Sequence, residues 1–209
     1  IMPDKRLKVR FMHHQTYGFE AFFTDDSILF INPQTLQPIA SARLKSAELI
    51  NRYEMLLETE AQLTGLELLG LCIENRTWTP EVKITNCRFE RTNTRGLLIT
   101  SCRKTIIENN VFYRTGMHAI LIADDASGWF ESGPVEDVTI QNNLFYECGY
   151  NSSPGNTFIS IAPENHILVP GFYVHRNIKI QKNTFVAYDY PILNARSCSN
   201  LHFNENTIA

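Results

Sequence analysis

The chain has 209 residues, 44% of them hydrophobic, with 22 acidic against 19 basic side chains and a formal net charge of -3. That length suffices for one sizeable core or two small ones, and the acidic balance removes the electrostatic basis for nucleic-acid binding, which needs Lys and Arg clustered against phosphate. No apolar run approaches the roughly 20 residues of a membrane span, so no spanning segment is expected, and residues 1–6 show no signal-peptide h-region. The five cysteines, Cys72, Cys87, Cys102, Cys148 and Cys198, are scattered without a Cys-x-x-Cys pair. They read as buried thiols rather than as a disulfide framework or a structural zinc site.

Residues 1–77 read as a small β-rich domain. Strands are expected at 8–14, where polar and apolar residues alternate loosely, and at 27–32, an apolar run that stops at Asn32-Pro33. Residues 38–50 fit a strand or a helix. Residues 51–62 favour a strand, since Tyr53, Met55, Leu57 and Thr59 alternate with Glu54, Leu56, Glu58 and Glu60, and a last strand is expected at 68–74. Few helices and several short strands point to a small antiparallel barrel or sandwich. The pair His13-His14 does not suggest a metal, because neighbouring residues on a strand face opposite ways and no third ligand stands at a suitable spacing. Asp25-Asp26 reads as a turn.

From residue 78 the chain repeats itself. A strand-like run, a small polar residue and a large apolar anchor recur together: Val82 to Ile84 before Cys87 and Phe89, Thr105 to Ile107 before Asn110 and Phe112, Val138 to Ile140 before Asn143 and Phe145, Ile178 to Ile180 before Asn183 and Phe185, Leu201 to Phe203 before Asn206 and Ile208. The anchors stand 23, 33, 40 and 23 residues apart. A basal turn of that length made of short strands predicts a right-handed parallel β-helix of about five coils over 78–209, without the Leu and Asn framework of leucine-rich repeats. The polar column is expected to stack and to hydrogen-bond along the coils. The whole chain is thus expected to be all-β, a right-handed parallel β-helix with a small antiparallel β-barrel or sandwich at the N-terminal side.

A second strand column follows the anchors, at 96–100, 119–123, 158–162 and 191–195. The two middle copies run on into long excursions, 124–134 and 163–173, which leave the same corner of consecutive coils. Insertions gathered on one side of a solenoid usually build its binding surface. Trp129, Phe130, Tyr150 and Tyr173 supply flat apolar faces with polar edges, and Asn165 and His166 can bond sugar hydroxyls. The candidate acids and bases are Asp124, Asp125, Glu131 and Glu164. By alignment of the two copies, Glu164 falls one rung from Asp125, and two carboxylates that close would push one pKa upward. Capping of turns by strand-end carboxylates is the structural alternative.

Several separated motifs resemble glycoside hydrolase family 110, the α-1,3-galactosidases. They are His13 to Phe19, Thr35 to Pro38, Glu74 to Pro80, Arg95 to Thr100, Ile107 to Phe112, Gly116 to Ala123 and Trp129 to Val135. The resemblance implies a β-helix interrupted by a small β-barrel, and metal-independent, inverting hydrolysis of terminal α-1,3-linked galactose without a cofactor. It also implies a galactose-containing glycan as partner and an extracytoplasmic location, and leaves the oligomeric state open. Inversion needs an acid and a base roughly 6.5–9.5 Å apart. Family members are far longer and carry an Asp-Asp-Gly segment in coils before the His13-His14-Gln15 region, whereas here Asp25-Asp26 is followed by Ser27 and Asp124-Asp125 by Ala126. The chain is therefore expected to be a C-terminal portion, which leaves open whether the catalytic coils are in it. Two other readings stand beside this one: a non-catalytic carbohydrate-binding β-helix module, and a β-helix polysaccharide lyase. The lyase is disfavoured by the lack of a tight carboxylate cluster with a basic neighbour.

Overall fold

The computed structural model describes residues 6–11, 22–63, 67, 69–131, 133–151 and 155–209. His13-His14 and the rest of the motif at 13–19 lie outside them. The chain forms two compact units, Ile1–Thr79 with Ala126–Phe130, and Pro80–Asp125 with Glu131–Ala209. Among the described residues all regular structure is β-strand.

The first unit holds β1 (Arg6–Arg10), β2 (Ser27–Ile31), β3 (Pro38–Asn51), β4 (Glu54–Thr59) and β5 (Cys72–Asn75), in one sheet of order β1-β4-β3-β2-β5. All its pairings are antiparallel. The ambiguous stretch is the long strand β3, because Ala42 pairs with Ile28 on one side and Ala47 with Leu57 on the other. Ladder bonds on both edges satisfy its backbone groups and override the helix propensity of Ala40, Ala42 and Leu44. β4 keeps the expected alternation, with Met55, Leu57 and Thr59 buried, and starts only at Glu54 because Asn51 Oδ1 caps a turn by accepting from Tyr53 N at 2.8 Å. Leu7, Phe22, Ile28, Phe30, Leu44, Met55 and Leu57 form this unit's core.

The Asp25-Asp26 turn is also a buried junction. Asp25 takes a positive φ of 70°, and Asp26, 3% exposed, accepts hydrogen bonds from Phe23 N at 2.8 Å, Asn75 Nδ2 at 2.6 Å and Trp78 Nε1 at 3.1 Å.

The second unit is a stack of coils. In chain order its strands are β6 (Val82–Thr85), β7 (Arg88–Glu90), β8 (Leu97–Ile99), β9 (Thr105–Glu108), β10 (Val111–Tyr113), β11 (Ile120–Ile122) and β12 (Glu136–Gln141). They continue with β13 (Leu144–Tyr146), β14 (Ile159–Ile161), β15 (His175–Gln181), β16 (Thr184–Val186), β17 (Leu193–Ala195), β18 (Cys198–Asn204) and β19 (Thr207–Ile208). Three parallel sheets result, of order β6-β9-β12-β15-β18, β7-β10-β13-β16-β19 and β8-β11-β14-β17. Each residue therefore meets its counterpart one coil away, as Phe112 meets Phe89 and Phe145. Phe89, Phe112, Phe145 and Phe185 stack face to face with centroids 5.0, 4.9 and 4.8 Å apart, the spacing of neighbouring strands. With Ile107, Ile120, Ile122, Val138, Ile140, Ile159, Ile178 and Ile180 they form a continuous core.

The polar column is a hydrogen-bonded ladder. Asn143 Oδ1 accepts from Asn110 N at 2.9 Å and from Asn110 Nδ2 at 3.0 Å, while Asn143 Nδ2 donates to Ile107 O and to Asn183 Oδ1. Asn110, Asn183 and Asn206 repeat the pattern. The residue before each member, Asn86, Asn109, Asn142, Lys182 or Glu205, has φ of 55–57°. The chain thus turns each corner through a left-handed residue, and the amide column satisfies the backbone groups that this turn frees.

Candidate functional site

Both long excursions leave the sheet that contains β11 and β14. Leu121 pairs with Ser160, and the register runs on past the strand ends: Ala162 N donates to Ile122 O at 2.9 Å and Glu164 N to Asp124 O at 2.8 Å. This backbone bond joins the feet of the two excursions in adjacent coils. A second bond, Asp125 N to Glu131 O at 3.0 Å, closes the first loop on itself.

The side chains divide sharply by burial. Asp124 and Asp125 are 1% and 2% exposed, Glu131 is half-buried, and Glu164 and His166 are exposed. The carboxylates that the register places one rung apart, Asp125 and Glu164, therefore sit in different surroundings. Asn165 is buried at 3% and donates from Nδ2 to Ser197 Oγ at 3.4 Å; its Oδ1 has no partner among the described residues. Tyr173 is 53% exposed. Trp129, 73% exposed, and Phe130, 48% exposed with φ of 55°, belong to the first unit. There Phe130 lines a cavity of about 540 Å³ with Leu7, Phe11, Phe22 and Phe30. Among the described residues no three His, Cys, Asp or Glu side chains group as metal ligands.

Two residues that sequence reasoning passed over hold the loop bases. Ser197, at φ 49°, accepts from Val174 N at 3.2 Å through Oγ and from His175 N at 3.1 Å through its carbonyl, so it fixes the return of the second excursion. His175, fully buried, accepts from Val135 N at 3.0 Å through Nδ1 and so fixes the return of the first. Burial pushes the His175 pKa down to about 3, since an imidazolium there would be desolvated without a counter-charge. A neutral ring with an accepting Nδ1 carries its proton on Nε2. In the sequence His175 stands ahead of the strand run Ile178 to Ile180 with nothing to mark it, and only the assembled coils show which amide it meets. Arg196 also braces the second excursion, through its guanidinium to Pro163 O.

The coil-stacked architecture and these loops place the protein among β-helix proteins. The right-handed β-helix region model matches residues 45–208, and the chain belongs to that family. The GLAA-B β-barrel domain II model matches residues 6–65, in line with the expected antiparallel unit before the coils. The α-1,3-galactosidase A of Bacteroides fragilis (strain NCTC 9343) is 49% identical over 97% of this chain and 34% of its own length. Bacteroides thetaiotaomicron has two similar proteins. Its α-1,3-galactosidase A is 46% identical over 88% of the chain and 31% of the relative, and its α-1,3-galactosidase B is 42% identical over 100% and 34%. The resemblance to glycoside hydrolase family 110 holds on these relatives, of whose length the chain spans about a third.

Proposed function

We propose that this chain is the barrel and β-helix portion of a glycoside hydrolase that acts on terminal α-1,3-linked galactose of glycans. The proposal includes the division into a β-barrel-like domain at 1–77 and a β-helix at 78–209. The observation that carries the reading is 42–49% identity across 88–100% of the chain to proteins named α-1,3-galactosidase. Supporting it, the two β-helix excursions that depart from β11 and β14 bear the acids, amide and aromatic ring that sugar recognition uses.

In this reading Asp124, Asp125, Glu131 and Glu164 supply acid-base or hydroxyl-binding groups. Exposed Glu164 and half-buried Glu131 reach an incoming sugar directly, and Asp124 and Asp125 stand buried at the loop feet beside them. Asn165, His166 and Tyr173 bind hydroxyls and the apolar face of the ring. Hydrolysis needs no metal or cofactor: one carboxyl protonates the leaving oxygen and the other activates water on the opposite face.

The purified chain is incubated with an α-1,3-galactosyl disaccharide, and released galactose is followed with its anomeric configuration. Glu164→Gln and Asp125→Asn are each expected to lower turnover at least about a hundredfold, the usual worth of a general acid or base. Binding of the disaccharide without turnover by the unaltered chain removes the catalytic assignment and leaves a glycan-binding portion.

A further inference from the structure

The opposite corner of the coils, where the chain enters the β8-β11-β14 sheet, carries a cluster that the galactoside reading does not use. Parallel pairing of Leu97 with Ile120 and of Ile120 with Ile159 sets Arg95, His118 and Thr157 on three consecutive rungs, about 4.8 Å apart. The backbone agrees, since Gly96 N donates to His118 O at 3.1 Å and Met117 N to Thr94 O at 3.0 Å.

The side chains there offer a donor at Arg95 and an acceptor at His118. His118 donates from Nδ1 to Thr157 O at 2.9 Å, which fixes the tautomer and leaves Nε2 unused by that bond. Arg95 is half-buried, with Nε enclosed and lacking a hydrogen-bond partner among the described residues. Among the described residues it makes no ion pair, unlike Arg114, whose guanidinium lies 3.4 Å from Glu147. An enclosed Nε without an acceptor is costly to leave so, and the guanidinium fork suits an oxyanion. Burial, opposed by the Thr157 bond and reinforced by the Arg95 charge, holds the His118 pKa below the ordinary imidazole range.

The third coil closes over this corner with a loop of its own. Gly149 N donates to Thr115 O and Met117 O, and Asn151 N donates to Gly116 O at 2.8 Å. Asn151 Nδ2 reaches Asn93 O at 3.3 Å. The approach requires glycine at 116: a Cβ there would fall 2.3 Å from Asn93 O and 2.7 Å from Asn151 Nδ2. The same loop presents Tyr150, 41% exposed, beneath the Arg114 guanidinium at 6.0 Å.

From this geometry we infer a second ligand site on the β-helix, in which Arg95 binds the oxyanion of an acidic sugar, a carboxylate or a sulfate, the neutral His118 accepts one of its hydroxyls at Nε2, and Tyr150 offers a face to its ring. The site stands apart from the Asp124 to Tyr173 excursions and does not depend on galactosidase activity.

Calorimetric titration of the whole chain with galacturonate, galactose 6-sulfate and galactose tests it. The two anionic sugars are expected to bind at least about tenfold tighter than galactose, and the stronger of the two identifies the oxyanion. Arg95→Met should abolish the preference for charge, whereas Arg95→Lys should keep part of it. Because Arg95→Met could disturb packing, a second readout follows the His118 imidazole by NMR in the unaltered chain: its resonances should move with the anionic sugars and stay fixed with galactose. Equal affinity for the three sugars, no binding of any, an unmoved His118, or an Arg95→Met variant that folds and keeps the charge preference would each overturn the inference. Loss of galactoside hydrolysis in the earlier experiment leaves these outcomes untouched.

Discussion

The two units bury β-sheet by different logic. In the first, each inner strand meets different partners on its two edges. β3 alone pairs with β2 through Ala42 and with β4 through Ala47, with register shifts at Leu44/Ser46 and Leu49/Asn51. In the second, every position meets its counterpart one coil away, so one solution to a corner recurs: a left-handed residue at five corners, followed at four of them by an amide that bonds along the stack. The difference is that a column residue acts on both neighbouring coils, whereas a residue in the antiparallel sheet acts on a local junction. Substitutions should therefore be felt most where stacking is two-sided.

Phe145 gives the largest expected effect. It is fully buried and stacked on Phe112 and Phe185 at 4.9 and 4.8 Å. Phe145→Ala should cost about 3–5 kcal/mol, the range for a buried aromatic ring, read from denaturant unfolding. Phe145→Leu should cost markedly less. A loss below about 1 kcal/mol for Phe145→Ala would mean that the stack is not what stabilises the coils.

Asn143→Ala comes next. It strips partners from Asn110 N and Ile107 O, both inside the stack, and two buried backbone groups left unpaired should cost about 2–4 kcal/mol. Asn143→Asp, of nearly equal volume, loses the donor to Ile107 O and to Asn183 Oδ1 and sets a carboxylate against that acceptor, so it should be no milder. If Asn143→Asp were tolerated, the ladder would be filling space rather than satisfying the turns.

His175 adds a pH dependence. Its folded pKa, about 3, lies below that of an unfolded histidine, near 6.5. Its neutral-state contribution is therefore full above pH about 6.5 and is lost as pH falls from there toward about 3, because the unfolded chain takes up the proton first. Between pH 7 and 5 this amounts to roughly 2 kcal/mol of lost stability. Denaturant midpoints at the two pH values should show the decline, and His175→Gln should flatten it. An equal decline in that variant would assign the effect to other groups.

The coils were readable in advance because repetition writes the same environment several times. Anchor spacing alone located the five anchors, the amide column and the corner from which the excursions leave. What escaped were features that arise between coils at a single level. His175 and Ser197 look ordinary in the chain, and their roles depend on which amides stand opposite, at Val135 and Val174. Alignment of the two copies sets Glu164 one rung from Asp125, yet alignment fixes the rung and not the exposure, and the two carboxylates differ in burial. In the first unit no repeat was available. The stretch 38–50 stayed ambiguous because its composition suits a helix, and only partners on both edges make it a strand.

The smallest expected effect returns to that unit and tests whether its junctions are local. Asp26 gathers Phe23 N, Asn75 Nδ2 and Trp78 Nε1 around one buried carboxylate. Asp26→Ala frees three donors, but Trp78 is 66% exposed, so water can replace that partner, and about 1–2 kcal/mol should be lost. Asp26→Asn retains one acceptor oxygen and should lose less. Hydrogen exchange should rise at Phe23 and leave Asn110 and Asn143 in the coil ladder unchanged. A rise along the ladder would show that this junction propagates as the columns do, and the contrast between a local sheet and a transmitting stack would fail.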